Sequence, residues 1–411
     1  MNVIKLPFGN DSLVVRIPDK NLSRIILPSE PEVTDNAVSL IEKALDNPVN
    51  SRKLSEIVKP DSIVAVIVSD TTRPVPTAQI LPLIIDQLHQ GGVADENITI
   101  IFALGLHRNQ HDSEMERIVG PDVYRRIRCI EHDRSRCRMI GKTSRGTPVE
   151  VFEEVLDSDV IVCTGNIEFH YYAGYSGGAK AILPGVSSKD SIISNHRMMM
   201  EAKASSGMID SPVREDIEEA AQYVGVDFLF NVVLDSRKKI VCATAGHVID
   251  AHRRGVAFVD DMYKIEVEPA DVVIVSPGGY PKDINLFQAH KSLDNAKNAV
   301  KRGGSIILVA QCLEGLGNAV YERWNNESDT PDDAIRRFNH SFEFGGHKAA
   351  LIAQLSKVYD LYLVSDLSDT EAKKAFFIPV KNVQEALDDI LNSNPDAKVH
   401  VMPHGGLTLA L

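Results

Sequence analysis

The sequence predicts an α/β protein with two α/β domains and mostly parallel sheets. Short runs rich in Val and Ile, bounded by Gly, Pro, Asp or Ser, alternate with amphipathic stretches, which is typical of successive β-α-β units. The length of 411 residues is more than one ordinary core accommodates and favours two or three domains. Polar or glycine-rich segments follow several predicted strands, at the position where open α/β sheets bind their ligands.

The strand and helix patterns divide the chain into two parts. Strand compositions occur at residues 62–68, 98–103, 160–163, 228–233, 272–276, 305–309, 361–364 and 399–402. Helical patterns occur at residues 77–90, 247–262, 288–300 and 383–391, and residues 2–17 predict a hairpin that turns at Gly9-Asn10-Asp11. After residues 266–270 the chain restarts with a strand and a glycine-rich turn. We therefore predict an N-terminal domain for catalysis and cofactor binding, residues 1–267, and a C-terminal α/β domain, residues 268–411.

Composition excludes several classes of function. A net charge of -13 argues against a nucleic-acid partner, since a phosphate-binding surface needs an excess of Lys and Arg. No apolar run reaches membrane-spanning length, and the first residues lack signal-peptide architecture, so we expect a cytoplasmic protein without a membrane partner. The five cysteines form no CxxC pair and predict reduced thiols rather than disulfides or a zinc site.

Two strand exits in the first half of the chain carry candidate polar side chains. Asp70 and Arg73 follow the strand at 62–68, where an Arg can bind a carboxylate in bidentate fashion and a nearby Asp can orient it. The same pair also fits a helix N-cap followed by a surface Arg. His107 follows the strand at 98–103 and is placed to act as an acid or base, although a single His is more often structural.

The densest segment runs from residue 168 to residue 185 and follows the strand at 160–163. It is crowded with Gly and Ala, so that backbone and ligand can approach closely, and it contains a single Lys. It is not a Walker A loop, because Ala179 precedes Lys180 and Ala181 follows it. A Lys in a tight apolar pocket loses its proton easily and becomes a nucleophile or a covalent attachment point. The alternative is a glycine-rich loop whose Lys faces solvent.

Further candidates are spread along the chain. His196 could ligate a metal or carry a proton. Gln288 and Lys291 are three residues apart, so they share one face of a helix, which could equally be a solvent-exposed face. No HExxH, CxxC or EF-hand pattern occurs, and spacing alone does not decide whether His107, His170 and His196 converge.

Together these segments resemble the nickel-pincer-dependent lactate racemase family. The run from Gly174 to Lys180, preceded by His170, is the most specific part of the resemblance. Asp70, Arg73 and the run at residues 105–108 occur in the expected order, and the resemblance extends to the closing run at residues 402–408. It implies two α/β domains with an active-site cleft between them. It also implies a nickel-dependent racemase or epimerase of a small 2-hydroxy acid, served by cofactor-biosynthesis enzymes.

The resemblance also implies a cofactor and a role for each candidate residue. The cofactor is a pyridinium-3-thioamide-5-thiocarboxylate mononucleotide, the nickel-pincer nucleotide, which takes a hydride from the substrate and returns it through a 2-keto intermediate. Lys180 matches the residue of the thioamide link, His196 matches the nickel ligand, and His107 and His170 match the paired acid/base groups. Cofactor-binding residues would further include Asp70, Gly177 and Gly178, and substrate-binding residues would be Arg73, Gln288 and Lys291.

Two positions depart from the family pattern. Phe287 stands where a Tyr is expected, and residues 344–348 read Phe-Gly-Gly-His-Lys where a Trp beside a Gln is expected. Because a methyl group has no use for a cation, we expect a substrate larger or more polar than lactate, such as malate, 2-hydroxyglutarate or an aldonate. The alternative is that His347 and Lys348 face solvent at a helix start.

Two other functions fit the same residues. Lys180 could be the Schiff-base lysine of a lyase, or the chain could bind and deliver the cofactor without catalysis. Nickel content with a mass adduct on Lys180 distinguishes the racemase from the first alternative. Turnover of one pure enantiomer distinguishes it from the second.

Overall fold

The computed structural model describes residues 1–31, 35–201 and 203–411. The strands, in chain order, are β1 (Asn2–Phe8), β2 (Asp11–Ile17), β3 (Leu22–Ile25), β4 (Val64–Ser69), β5 (Ile98–Ala103), β6 (Arg128–Glu131), β7 (Cys137–Lys142), β8 (Pro148–Phe152), β9 (Val160–Asn166), β10 (Phe169–His170), β11 (Gly174–Tyr175), β12 (Phe228–Leu234), β13 (Ile240–Gly246), β14 (Lys264–Ile265), β15 (Ala270–Val275), β16 (Val300–Val309), β17 (Asp360–Val364), β18 (Ile378–Val380), β19 (Val399–Met402) and β20 (Leu409–Ala410).

The helices surround these strands. They are α1 (Ala37–Asp46), α2 (Leu54–Ile57), α3 (Thr77–Gln90), α4 (Asp112–Val119), α5 (Pro121–Arg126), α6 (Glu153–Leu156), α7 (Lys189–His196), α8 (Pro212–Val224), α9 (Asp250–Tyr263), α10 (Leu286–Ala289), α11 (Lys291–Ala296), α12 (Ala319–Asn326), α13 (Pro331–His340), α14 (His347–Ser356), α15 (Asp369–Lys374) and α16 (Val383–Ser393). Short 3-10 turns occupy Asp95–Asn97, Arg134–Arg136, Gly178–Ala181, Arg197–Met200 and Lys297–Ala299. In the described ranges, no helix is long and apolar enough to cross a membrane.

The chain forms two compact units. The central unit comprises Glu30–Met262, and the terminal unit comprises Met1–Ser29 together with Tyr263–Leu411. The second boundary lies close to the predicted one at 267/268, but residues 1–29 belong to the terminal unit and not with the rest of 1–267. The reason is long-range pairing, because β3 lies parallel to β19 and the hairpin packs its apolar face into the core of that unit.

The central unit is built on a six-stranded sheet in the order β13-β12-β9-β4-β5-β6. All neighbours are parallel except β13, which pairs with β12 in antiparallel fashion. Strands β9 and β12 are buried along their whole length, as expected for parallel strands covered on both faces. The predicted strands at 62–68, 98–103, 160–163 and 228–233 are therefore confirmed, and the predicted helix 77–90 coincides with α3.

The terminal unit is built on a second six-stranded sheet in the order β18-β17-β16-β15-β19-β3, with every pair parallel. The predicted opening hairpin is confirmed, since β1 and β2 pair from Asn2↔Ile17 to Phe8↔Asp11. The predicted helical stretch 288–300 is confirmed in part, because α10, α11 and a 3-10 turn occupy it up to Ala299. Val300 is already the first residue of β16 and pairs with Ala270.

The strand order of the central sheet determines where its polar segments meet. Strands β9, β4 and β5 are direct neighbours and run parallel, so their carboxyl ends lie along one edge. The segments that follow them begin at Asp70, Leu104 and Ile167. The three most informative stretches of the sequence therefore come together at this edge, where parallel sheets bind ligands.

Candidate active site

Asp70 and His107 form a close pair at the carboxyl edge of the central sheet. Asp70 Oδ2 lies 2.5 Å from His107 Nδ1, and the Asp70 side chain is buried while that of His107 is about one-third exposed. Thr72 donates to Asp70 Oδ1 from its amide at 3.0 Å and from its hydroxyl at 2.6 Å. Burial alone would raise the pKa of Asp70, but the hydrogen bond and charge of His107, with smaller contributions from Thr72 and Arg73, outweigh it and lower that pKa.

This pair has a definite chemical consequence. An ionised Asp70 accepts from Nδ1–H of His107, which leaves Nε2 of the neutral imidazole as the basic nitrogen. A carboxylate that fixes the tautomer and orientation of a partly exposed His is a recurrent arrangement for acid/base chemistry. The helix-cap alternative for Asp70 does not describe this geometry, because α3 begins only at Thr77.

The turn that carries His107 is held from two sides. The backbone amide of Gly105 donates to the carbonyl of Gly185 at 2.9 Å. This bond holds the turn against the end of the segment at residues 168–185, which is called the lysine segment below. The Arg134 guanidinium donates from Nη1 to the carbonyls of Gly105 at 3.1 Å and His107 at 3.3 Å. Both of these bonds are to the backbone of the turn and not to the His107 imidazole.

The glycines of the lysine segment are required by packing. Gly177 and Gly178 have φ of 69° and 60°, a region that residues with a Cβ rarely adopt. A Cβ on Gly177 would lie 2.7 Å from Asn231 Oδ1, and one on Gly178 would lie 2.8 Å from the His252 ring. The Asn231 side chain also accepts from the Gly178 amide at 2.8 Å. The two glycines therefore let the loop turn tightly against β12 and α9, and a role in binding the cofactor stays a prediction.

Arg214, on α8, fixes the other side of the same segment. This fully buried guanidinium donates to the carbonyls of Ala173 at 3.3 Å and Gly177 at 3.3 Å, and also to that of Tyr175. Its counter-charge is Glu218, with Nε and Oε1 3.9 Å apart. Burial lowers the pKa of Arg214 to about 10, opposed by Glu218. Arg214 thus places a buried positive charge against the backbone of the lysine segment.

Lys180 is half-buried and lies among cations and an aromatic ring. Its Nζ is 5.3 Å from the centroid of the Tyr172 ring. Burial, followed by the charges of Arg214 and Arg73, holds the pKa of Lys180 well below its ordinary value. A lowered pKa makes this amine easier to deprotonate and so a better nucleophile, as covalent attachment of a group requires. The alternative of a solvent-facing lysine does not fit these surroundings.

His196 and His170 both lie next to Tyr172. His196 is the last residue of α7 and is 3 % exposed, and its Nε2 lies 2.7 Å from the Tyr172 hydroxyl. Burial, with a contribution from the Lys180 charge, lowers the pKa of His196 to about 3, so this imidazole is neutral. The His170 ring lies edge-on to Tyr172 with 4.3 Å between centroids.

The structure therefore brings together most of the predicted residues of the central unit. Arg73 lies close enough to influence the pKa of Asp70, Tyr172 and Lys180, which connects the His107 pair to the lysine segment. In the described part of the chain, no three His, Cys, Asp or Glu side chains are arranged to hold a metal ion. The described residues therefore do not bring His107, His170 and His196 together as one metal-binding group.

The terminal unit contains the remaining candidates. Gln288 is half-buried on α10, and its backbone N–H donates to Oδ1 of Asn285, the N-cap residue of this helix, at 3.0 Å. Lys291 is exposed at the start of α11. Lys348 is 2 % exposed, donates to the Phe287 carbonyl and lies 3.6 Å from the Phe287 ring centroid. His347 is also buried, so the alternative in which these two residues face solvent is wrong.

Comparison with known proteins shows which family this fold and site belong to. A family model of the lactate racemase N-terminal domain matches residues 8–207, and one of the lactate racemase C-terminal domain matches residues 265–409. The chain belongs to the lactate racemase family. It is 32 % identical to a lactate racemase of Thermoanaerobacterium thermosaccharolyticum, over 98 % of this chain and 97 % of the relative. It is 31 % identical to one of Lactiplantibacillus plantarum, over 98 % of this chain and 99 % of the relative.

A solved structure supports the same assignment. The lactate racemase apoprotein of Thermoanaerobacterium thermosaccharolyticum superposes with a TM-score of 0.94 at 31 % identity, over the full length of both chains. The predicted family and the two-domain α/β fold are thereby confirmed. Family membership makes this protein a racemase, which is an isomerase, and implies that it depends on nickel. It decides against both the Schiff-base lyase and the non-catalytic carrier.

Several residues of this racemase site were missed at the sequence level. The only sequence signal for Arg214 is Glu218, four residues later on the same helix. Such pairs are also common on exposed helix faces. Asn231 is a polar residue inside an apolar strand, and that conflict could have marked it. Arg134 lies in a run of charged residues that is typical of a solvated surface.

Replacing Arg134 should impair catalysis by this racemase without unfolding it. Arg134→Met removes the donor to the Gly105 and His107 carbonyls, so His107 loses its fixed position. With His107 as the predicted acid or base, we expect kcat to fall about 10- to 100-fold while KM changes little, because misplacement of a reacting group by about 1 Å can cost about 100-fold. Arg134→Lys, which keeps one donor, should recover part of the loss. Arg125→Met, at an exposed ion pair on α5, is the control, and a wild-type kcat in Arg134→Met would contradict the role.

Proposed function

We propose that this racemase inverts the configuration at C2 of a small 2-hydroxy acid, using a nickel-pincer nucleotide attached to Lys180. The observation that carries the proposal is the half-buried Lys180 amine, whose pKa is depressed by burial and by the neighbouring Arg214 and Arg73 charges. An amine that loses its proton more readily, beside the Arg214 and Arg73 charges, suits the attachment of an anionic mononucleotide. The family's nickel dependence, together with the absence of a three-residue metal site in the described ranges, supports a cofactor that brings most of its own ligands.

The residues present fit this cofactor. His196 offers one neutral imidazole beside Lys180, as a single protein ligand to nickel would require. Asp70, Gly177 and Gly178 are proposed to line the cofactor, with the glycines allowing its close approach. When bound, the cofactor would supply an electron-poor ring that accepts and returns the C2 hydrogen with its electron pair.

The side chains of this chain would handle protons and charge. His107, oriented by Asp70, is proposed to take the hydroxyl proton of one enantiomer while a protonated His170 gives a proton to the hydroxyl oxygen after inversion, and the two roles are exchanged for the opposite enantiomer. Arg73 would bind the substrate carboxylate, for which a guanidinium provides two parallel donors. Gln288 and Lys291 of the terminal unit are proposed as further substrate ligands on the strength of the family pattern.

A chiral assay tests this function. The protein is produced together with cofactor-biosynthesis enzymes, its nickel content and mass are measured, and a single pure enantiomer of each of several 2-hydroxy acids is supplied. We expect about one nickel per chain and conversion of one enantiomer towards a racemic mixture. Protein that carries cofactor and nickel but leaves every 2-hydroxy acid optically pure would contradict the proposal.

We further propose that the substrate is larger or more polar than lactate, such as malate, 2-hydroxyglutarate or an aldonate. Support comes from the departures from the family pattern at Phe287 and residues 344–348, and from Lys348, which is 2 % exposed, donates to the Phe287 carbonyl and lies 3.6 Å from the Phe287 ring centroid. A lysine at this position offers a donor to a polar or anionic substrate group, which the methyl group of lactate lacks.

The substrate preference can be tested with one side chain. We expect kcat/KM for a dicarboxylic or polyhydroxylated acid to exceed that for lactate, and Lys348→Met to reduce this ratio at least about tenfold, because lost pairing of a polar substrate group is strongly discriminating. Methionine keeps the length of the buried side chain. Lys301→Met, at an exposed ion pair with Asp271, is the control. If lactate is the best substrate, or if Lys348→Met leaves the ranking unchanged, this preference is wrong while the racemase function stands.

A further inference from the structure

Tyr172 lies next to three predicted functional side chains, those of His170, Lys180 and His196. Its hydroxyl lies 2.7 Å from His196 Nε2, its ring lies 5.3 Å from Lys180 Nζ, and the His170 ring lies edge-on to it at 4.3 Å. Tyr172 is 5 % exposed. A buried Tyr needs a partner for its hydroxyl, and here that partner is a nitrogen of the imidazole proposed as the nickel ligand.

The backbone of Tyr172 is fixed from the direction of α8. The Ser211 hydroxyl donates to the Tyr172 carbonyl at 2.7 Å, and the Arg214 guanidinium donates to the next carbonyl, that of Ala173, at 3.3 Å. These bonds leave the ring and hydroxyl to be positioned by the side chains around them. Because Tyr172 is also buried, its ring is held towards His196 by the packed interior and is not a mobile surface side chain.

The contact also connects the Tyr172 hydroxyl to the tautomer of His196. A neutral imidazole has one N–H and one nitrogen with a lone pair. The Tyr172 hydroxyl lies 2.7 Å from Nε2 and donates to that nitrogen when the imidazole proton is on Nδ1. This tautomer is the one that a metal ion bound at Nε2 requires.

We propose that Tyr172 is a positioning residue that donates a hydrogen bond to the Nε2 lone pair of His196 before loading and releases it when nickel binds there. This inference rests on the proposed function, in which His196 ligates nickel. One lone pair cannot serve both the hydroxyl and the metal, so each competes with the other. Tyr172 thus keeps His196 in the metal-binding tautomer but stabilises the unloaded protein relative to the loaded one.

The matched variants are Tyr172→Phe and Tyr171→Phe. The first removes only the hydroxyl and keeps the ring beside Lys180, and the second removes a hydroxyl from the neighbouring Tyr, whose ring stacks on His170 at 5.2 Å. Nickel-loaded proteins are titrated to equilibrium with a chelator and the retained nickel is measured. Because one buried hydrogen bond no longer competes with the metal, Tyr172→Phe should need about two- to tenfold more chelator for half-displacement than wild type. Tyr171→Phe should behave as wild type.

A second readout uses the unloaded protein and does not depend on nickel. ¹⁵N NMR of wild type should show His196 neutral, with its proton on Nδ1, and Tyr172→Phe should shift the Nε2 resonance towards that of a nitrogen without a hydrogen bond. An Nε2–H tautomer in wild type would overturn the inference, even if the variant did not fold. Equal or smaller chelator requirement in Tyr172→Phe would also overturn it. Loss of all nickel from wild type under mild conditions would instead contradict the proposed function.

Discussion

Lys180→Arg should abolish both the covalent cofactor and racemase activity. The substitution keeps a positive charge and a long side chain, but a guanidinium stays protonated and is not a nucleophile. In the wild type, burial and the charges of Arg214 and Arg73 lower the pKa of the Lys180 amine and so make it reactive. We therefore expect no mass adduct on the peptide that contains residue 180, no retained nickel and no detectable racemisation. Intact-mass analysis, peptide mapping and a chiral assay measure these three quantities.

A matched control separates this effect from a general loss of a lysine. Lys189 is exposed at the first position of α7, so Lys189→Arg should keep the adduct and full activity. Lys180→Ala should behave as Lys180→Arg, although it also removes side-chain packing against the Tyr172 ring. Racemisation by either Lys180 variant, or an adduct on a different lysine in wild type, would show that the attachment site is wrong.

Local sequence patterns predicted the elements of the fold better than their arrangement. Strand β5 and helix α3 coincide with their predicted ranges, because runs of Ile and an amphipathic period are local signals. The membership of residues 1–29 in the terminal unit was not predictable, since it depends on the pairing of β3 with β19, far away in the sequence. The helical pattern at 288–300 extends one residue too far, because Val300 begins β16 and pairs with Ala270, a contact that no local pattern reveals.

In the candidate site, too, local patterns were visible in the sequence and contacts between separate elements were not. The run from Gly174 to Lys180 was visible because its crowding of small residues around one Lys is unusual for a structural loop. The contact between Tyr172 and His196 was not visible, because these residues lie on separate elements that only the packing of α7 brings together. Likewise, the pairing of Asp70 with His107 follows from the adjacency of β4 and β5, which the order of strands along the chain does not determine.

His107→Ala and His170→Ala should each reduce racemisation about 10²–10⁴-fold, the usual cost of removing a positioned acid/base group. Nickel content should stay at the wild-type level in both variants, because neither residue is the proposed nickel ligand. His196→Ala should instead lower nickel retention. His340→Ala, at an exposed position that ends α13, is the control for removal of a histidine. Chiral analysis and metal analysis of the same preparations distinguish the two effects.

A half-reaction separates the two bases from each other. If His107 and His170 serve opposite enantiomers, each single variant still retains the base for one of them. On mixing with the enantiomer whose base it retains, each variant should form about one equivalent of trappable 2-keto acid per active site. It should form little from the mirror image, and the two variants should have opposite preferences.

Asp70→Asn should show the His107→Ala preference in weaker form, because an amide no longer favours Nδ1–H on His107. Identical preference in both histidine variants would mean that one base serves both enantiomers, and wild-type rates in both would remove these histidines from the mechanism.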